Sequence, residues 1–271
     1  MRSKIITILN FFGIKEIAKN FYITFIYYTS INGIKQSFNY KKIPIIIISF
    51  NQLFYLRKLV RFLQRKKYLN IIIIDNNSTY PPLLEYLKSI SGQATVYMLD
   101  KNYGHLVFWK NRDIFKKYMR GYYVITDADI VPESYCPDDF LLEFKKILNK
   151  NRKVSKVGFS LKIDDLPAKN TNREKVIRWE SQFWKNINID GNYQAPIDTT
   201  FALYKPGFIE YNSKVFYNAI RTKNPYVAIH GGWYIDSQNP TDEQKYYLKV
   251  ARHSASWLTD ENGDLLNKMY Q

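Results

Sequence analysis

The chain has 271 residues, 46% of them hydrophobic and 17% aromatic, with 23 tyrosines. This composition excludes an extended disordered chain and the collagen-like and low-complexity classes, and Cys136, the single cysteine, excludes an intrachain disulfide framework. Lysine and arginine number 40 against 24 acidic residues, a formal charge of +16, so an anionic partner is expected: nucleic acid, a nucleotide or an acidic membrane surface.

Residues 1–42 hold seven basic residues and one acidic residue, Glu16. Ile5, Ile8, Leu9, Phe12, Ile17, Phe21 and Phe25 recur at roughly helical spacing. That pattern suits either a basic amphipathic helix on anionic lipid or a helix packed on the main domain. The apolar piece 5–14 is too short to span a bilayer, and no small-residue cleavage site follows it.

From residue 43 strands and helices alternate. Residues 43–49 (IPIIIIS) read as a strand buried on both faces. Residues 53–66 are helical in period, with Leu56, Leu59, Val60 and Leu63 on one face and Arg57, Lys58, Arg61, Arg65 and Lys66 on the other. Residues 70–75 (NIIIID) form a second strand, and Pro81 and Pro82 open a helix over 83–90. A third strand is expected at 96–99, a helix at 105–119, and a fourth strand at 122–126 that runs into Asp127-Ala128-Asp129. Beyond residue 150 the rhythm loosens: 156–161 and 199–204 read as strands, and 173–184 as helical. No linker, repeat or low-complexity segment divides the chain.

Alternating strands and helices imply a mostly parallel sheet, and such sheets bind ligands at the carboxyl ends of their strands. That rule selects Phe50 and Asn51, Asp75 to Asn77, Lys101 to Gly104, and Asp127 to Asp129. In an extended segment Asp127 and Asp129 point the same way, and their charges repel unless a cation sits near them. Hard oxygen ligands suit Mg²⁺ or Mn²⁺, which commonly bridges carboxylates to a substrate phosphate.

Four blocks, PIIIISFNQLFYLRKLVRFL (44–63), IIIIDNNST (71–79), LDKNYGHLVFWKNR (99–112) and YVITDADIVP (123–132), resemble in order and spacing a family 2-type glycosyltransferase with the GT-A fold, of the bacterial surface-glycan type. The resemblance implies a Rossmann-like, mostly parallel sheet flanked by helices. Residues 1–42 are the basic amphipathic segment, 43–150 the nucleotide-sugar half, and 151–271 a less regular acceptor half of the same domain. It implies that Ser49, Phe50 and Asn51 line a nucleotide pocket. Asp75 would accept a hydrogen bond from the base, usually uracil, with Asn77 nearby. Lys101, Asn102 and Gly104 would pack against the nucleotide, and Asn111 stands among basic residues facing phosphate or sugar. Asp127 would contact ribose or metal, Asp129 would bind the metal, and a later histidine, His230 before Gly231 and Gly232, would add a ligand. The base for the acceptor hydroxyl is left open among Asp198, Asp236, Glu180, Asp242 and Glu243, the first three preferred, since the usual Glu-Asp pair of the family is absent. Trp179, Trp184, Tyr193 and Trp233 could stack on sugar rings or lie in the core.

The expected function is transfer of a sugar from a nucleotide diphosphate-sugar, a UDP-sugar first, to a glycan or lipid-linked acceptor in surface polysaccharide synthesis. The expected setting is cytoplasmic, peripheral on the cytoplasmic face of an anionic membrane, with Mn²⁺ or Mg²⁺ as cofactor. Two alternatives stand beside it. A sugar nucleotidyltransferase would need a Gly-rich phosphate loop where the chain has Phe50-Asn51-Gln52. A nucleic-acid-binding protein would show zinc-finger spacing or an aromatic RNA-binding block, and neither is found, so no nucleic-acid partner is expected.

Overall fold

The computed structural model describes residues 14–207, 211 and 213–251. Strands Ile45–Ser49 (β1) and Ile71–Asp75 (β2) each contain four consecutive isoleucines and are buried along their whole length. The β-branched side chain fits a pleated surface, and an unbroken apolar run suits a strand covered on both faces. The two pair in parallel from Ile45 with Ile71 to Ser49 with Asp75. Thr95–Met98 (β3) joins β2, and Tyr123–Asp127 (β4) joins β1, both in parallel.

The period of two divides the isoleucines between two cores. Ile45, Ile47, Ile71 and Ile73 pack with Leu56, Leu59 and Leu63 of the helix Phe54–Arg65 and with Leu141 and Phe144 of the helix Phe140–Lys150. Ile46, Ile48, Ile72 and Ile74 pack on the other face against Val107, Phe108, Ile114 and Phe115.

The same sheet continues through Ile130–Pro132 (β5) of the first half and Lys156–Leu161 (β6), Tyr193–Gln194 (β7), Ala202–Tyr204 (β8) and Ala219–His230 (β9) of the second. The strand order is β3-β2-β1-β4-β8-β6-β9-β5, with β7 on β9. β8 runs antiparallel to both β4 and β6, while β6 and β9 are parallel. The parallel core is therefore joined to a mixed second half with no break in the sheet.

Several elements differ from the sequence expectation. The helix expected at 105–119 is two helices, Val107–Lys110 and Arg112–Tyr118. Asn111 between them takes an extended backbone, and its side chain accepts the Ile114 N–H as a cap, which interrupts the first helix. The strand expected at 199–204 begins only at Ala202, because Thr199 and Thr200 hydrogen-bond to Asp127 and Asp198. The helices Phe140–Lys150 and Asp242–Val250 and most of the 12-residue β9 were not expected. Phe140, Leu141, Phe144, Ile147 and Leu148 do carry the helical period.

At the N-terminal end, Ile14–Tyr28 and Ile31–Phe38 are helices. Ile5, Ile8, Leu9 and Phe12 lie outside the described residues. Among the described residues no helix is long and apolar enough to cross a membrane.

Candidate active site

Ile48 of β1 pairs with Asp127 of β4, and Ser49 with Asp75 of β2, so three strands end at one level of the sheet. A cleft of about 1430 Å³ opens there. It exceeds the ~300–1000 Å³ usual for one small ligand and has room for two substrates. Phe50 lines it from the first loop, Asn76 from the second, Asn102, Gly104 and His105 from the third, and Asp127 and Asp129 from the fourth. Glu180, Asp198, Arg221 and His230 face it from the second half.

Asp127 closes β4, and Asp129 immediately precedes β5. Thr199 Oγ1 donates to Asp127 Oδ2 at 2.9 Å. The Gly231 N–H donates to the Asp129 carbonyl at 2.7 Å, and the Gly232 N–H to Asp129 Oδ2 at 3.2 Å. The register of β5 on β9 sets Ile130 beside His230, and His230 Nδ1 lies 3.3 Å from Asp129 Oδ2. That nitrogen is buried and makes no hydrogen bond of good geometry; the ring stacks on Trp233, with centroids 4.6 Å apart. A Cβ on Gly231 would stand 2.4 Å from a Tyr55 ring carbon, so the chain passes this point only as glycine.

Burial pushes the Asp127 carboxyl well above the ordinary range, and the charges of Asp198 and Asp129 push the same way, against the hydroxyl of Thr199. Two hard carboxylates under mutual repulsion, beside an imidazole nitrogen left without a hydrogen bond, fit a divalent cation. Among the described residues no three His, Cys, Asp or Glu side chains converge into a protein-only metal site. A cation on Asp129 and Asp127 would draw its remaining ligands from water or a diphosphate.

The residues expected at the nucleotide divide into two groups. Phe50, Asn102, Gly104 and Asp127 line the cleft. Asp75 is fully buried; Ser78 donates to it twice, from N–H to Oδ2 at 2.8 Å and from Oγ to Oδ1 at 2.6 Å. Burial raises its pKa, with the Ser78 hydroxyl and amide and the Ser49 hydroxyl acting against it. The residue that reaches the cleft at this strand end is Asn76, which bridges to the third loop by donating to the Gly104 carbonyl at 3.1 Å. Ser49 and Asn51 are buried, and Asn51 Oδ1 accepts the Thr79 and Tyr80 N–H groups at 2.7 and 2.9 Å. Asn51 and Asn77 both sit in the left-handed region, with φ of 52° and 62°, which asparagine tolerates. Asn77 is exposed, Lys101 lies exposed over the Tyr103 ring, and Asn111 is the helix cap. These side chains build the loops rather than line the cleft.

The three preferred candidate bases also differ. Glu180 is 2% exposed and ion-paired with Arg221, whose Nε donates to the Pro196 carbonyl at 3.0 Å. Burial pushes Glu180 up to about 7, against the pull of Arg221. Asp236 caps a turn, accepting the Gln238 and Asn239 N–H groups on Oδ1 at 3.1 and 3.2 Å, and Lys169 approaches its Oδ2. Asp198 is open to the cleft, and its Oδ1 accepts the Thr200 N–H at 3.1 Å. Its main-chain oxygen is pinned by the buried Lys156 Nζ at 2.8 Å and by the Tyr204 hydroxyl at 3.0 Å. Burial works against its ionisation, yet the Thr200 amide, Arg221 and Lys156 hold its carboxyl below the ordinary value.

Sequence reasoning missed Arg221, Lys156, Thr199 and His105 as parts of this site, and it selected Asn76 only as a member of the strand-end span 75–77. Arg221 sets a charge inside β9 and Lys156 opens the otherwise uncharged β6, which is the one signal that could have drawn attention to them. Of the aromatics considered for sugar stacking, Trp179 and Trp233 line the cleft, while Trp184 and Tyr193 pack on each other at 5.0 Å.

A mixed α/β sheet, parallel in its core and flanked by helices, is the GT-A arrangement, and here an acidic pair follows its fourth strand. The chain belongs to glycosyl transferase family 2: the model of that family matches residues 45–209, more than half of the chain. Similar solved structures include a mannosyltransferase, PcManGT, from Pyrobaculum calidifontis in complex with GDP-Man and Mn²⁺, at 16% identity and a TM-score of 0.42. The match covers 78% of this chain and 61% of that one, so the chain spans less than two thirds of its length. Residues 1–349 of TarS from S. aureus match at 12% identity and a TM-score of 0.44, covering 81% of this chain and 76% of that one. No curated protein matches the chain significantly.

Proposed function

We propose that the protein is a metal-dependent glycosyltransferase that moves a sugar from a nucleotide diphosphate-sugar to a hydroxyl of a glycan or lipid-linked acceptor in surface polysaccharide synthesis. The observation that carries this reading is the convergence on one cleft of Asp127 and Asp129 from the first half with Asp198, Thr199 and His230 from the second. Family membership favours it over a sugar nucleotidyltransferase or a nucleic-acid-binding protein.

Asp129 and Asp127, with His230 beside them, would hold Mn²⁺ or Mg²⁺, whose chemistry here is to neutralise the diphosphate and the charge that develops on the departing nucleotide. Phe50, Asn76 and Asn102 form the wall for the nucleoside, and Asp75 sets the shape of that wall through Ser78. A UDP-sugar is the donor to test first. Asp198 is the base: its carboxylate is ionised, open to the cleft and held by its own main chain. It takes the proton of the acceptor hydroxyl as that oxygen bonds to the anomeric carbon and the bond from sugar to phosphate breaks. Arg221 occupies Glu180, and the Asn239 turn occupies Asp236. The setting is the cytoplasm, where nucleotide-sugar donors are made.

The test is thermal unfolding with UDP, GDP and an oligonucleotide, each with and without Mn²⁺, on the wild type and on Asp129→Ala. Stabilisation by a nucleoside diphosphate that requires metal and disappears in the variant supports the reading. Equal stabilisation without metal, or by the oligonucleotide alone, overturns it.

A further inference from the structure

The helices Ile14–Tyr28 and Ile31–Phe38 are apolar on a face that no other part of the described structure covers. On the first, Phe21, Phe25 and Tyr28 are 74%, 56% and 62% exposed. Their spacing of four and three places them on one side of a helix. Ile26 and Tyr27 on the opposite side are buried, and the Tyr27 ring packs edge-on against Tyr122 at 5.2 Å. On the second helix Ile31, Ile34 and Phe38 also share one side and are 72%, 44% and 88% exposed.

The inward side is fixed, so the apolar side cannot turn to the core. Gln36 is buried, donates to the Tyr122 carbonyl at 2.9 Å and accepts the Tyr122 N–H at 2.9 Å. Ser30 Oγ donates to the Arg120 carbonyl at 2.9 Å, and a Cβ on Gly33 would collide with the Tyr27 carbonyl. A surface helix packed on a domain is normally polar on its outer side, and a large exposed apolar patch marks an interaction site.

The charge around the patch selects the partner. Between positions 14 and 42 the sequence has one acidic residue and five basic ones; Lys35 and Lys42 are exposed, while Lys41 turns inward to donate to the Lys66 carbonyl. Lys116, Lys117 and Arg120, on the segment that the hairpin grips through Asn32 and Ser30, are exposed. Aromatic and branched apolar side chains framed by lysines suit the boundary of an anionic bilayer, where rings enter the interface and ammonium groups meet lipid phosphates.

We propose that the paired helices Ile14–Tyr28 and Ile31–Phe38 form a docking face for an anionic lipid surface, seated through Phe21, Phe25, Tyr28, Ile31 and Phe38. This rests on the surface itself and is independent of the transferase reading.

The test is sedimentation of the full chain with phosphatidylcholine vesicles and with vesicles that also contain phosphatidylglycerol, at low and high salt, beside the variant Phe21→Ser/Phe25→Ser/Phe38→Ser. The wild type should pellet with anionic vesicles, weakly with neutral ones, and less at high salt. The triple variant should lose about tenfold or more in partition while keeping the wild-type melting temperature and metal-dependent nucleotide stabilisation. Three results overturn the proposal: no wild-type binding to anionic vesicles; equal binding of wild type and variant; or a wild-type dimer in solution that the variant dissolves, which would make the face a contact between copies. Binding that appears only after removal of residues 252–271 would likewise overturn it, by assigning the face to that segment.

Discussion

Thr199 Oγ1 donates to Asp127 Oδ2 at 2.9 Å across 72 residues of chain. The second half of the chain thereby supports the acidic pair of the first. Thr199 is the one side-chain donor to Asp127 among the forces on it, and it acts against burial and against the charges of Asp198 and Asp129. Thr199→Val keeps the shape and removes the donor. The expected result is a Mn²⁺ half-saturation weakened by about tenfold, the scale of an outer-shell partner, with Thr199→Ser near wild type. A Mn²⁺ titration at fixed nucleotide decides this.

Asp129 and Asp198 should fail in different ways. Asp129→Ala should lower turnover by roughly 100-fold or more, the scale of losing one electrostatic contact to developing charge, and should abolish metal-dependent nucleotide stabilisation. Asp198→Asn should lower transfer by roughly 10²–10⁴-fold, the contribution of a general base, and leave nucleotide binding intact. Single-turnover transfer measured beside nucleotide melting shifts separates the two. An Asp198→Asn enzyme with full transfer would return the base to the other carboxylates.

How much of this was legible in sequence depends on range. The two isoleucine runs fixed β1 and β2, since four branched apolar residues in a row are covered on both faces of a sheet. The acidic pair was visible because it ends an apolar strand. What failed was pairing at a distance. Asp75 and Asn77 look alike as strand-end polar residues, yet Ser78 encloses the first and a positive φ turns the second outward. Glu180 reads as a free acid until β9 brings Arg221 to it from 41 residues away. β8 enters the sheet antiparallel between β4 and β6, which no local period announces.

Glu180 also sets a pH dependence. Its folded-state value, near 7, lies above the ordinary 4.5 because burial outweighs Arg221. Between about pH 4.5 and 7 the folded state therefore holds more protons than the unfolded one, and stability falls as pH rises through that window. The slope is bounded at about 1.36 kcal/mol per pH unit for one proton. Glu180→Gln should be less stable overall, with Arg221 left unpaired in the interior. Its melting temperature should lack this component of the slope. Parallel slopes for the two proteins from pH 4.5 to 7 would show that the pair stays ionised throughout.

Glu243 joins the helix Asp242–Val250 to the loop that follows β1. Leu53, at the N-cap of Phe54–Arg65, offers no side-chain cap. Glu243, from the helix Asp242–Val250, supplies one: both of its carboxylate oxygens accept the Phe54 N–H at 3.1 Å. A carboxylate is favoured there because the amides at a helix start carry partial positive charge. Burial raises the Glu243 pKa, and the Phe54 and Leu53 amides oppose it. The same helix lays Tyr247 against Phe50, with ring centroids 6.3 Å apart, and Tyr246 donates to Thr79 Oγ1 at 2.9 Å. The helix thus roofs the loops that follow β1 and β2, pinned at one end by Glu243. Glu243→Ala should cost about 1 kcal/mol, the worth of a helix cap, and Glu243→Gln less, since an acceptor remains. Because the roof touches the loops after β1 and β2, which the proposed function gives to the nucleotide, and not the acidic pair, the donor KM should rise several-fold with a smaller change in kcat. Amide exchange over 242–250 should quicken in the same variant. If exchange there stays at the wild-type rate while KM rises, the loop after β1, and not the roof, is what Glu243 holds in place.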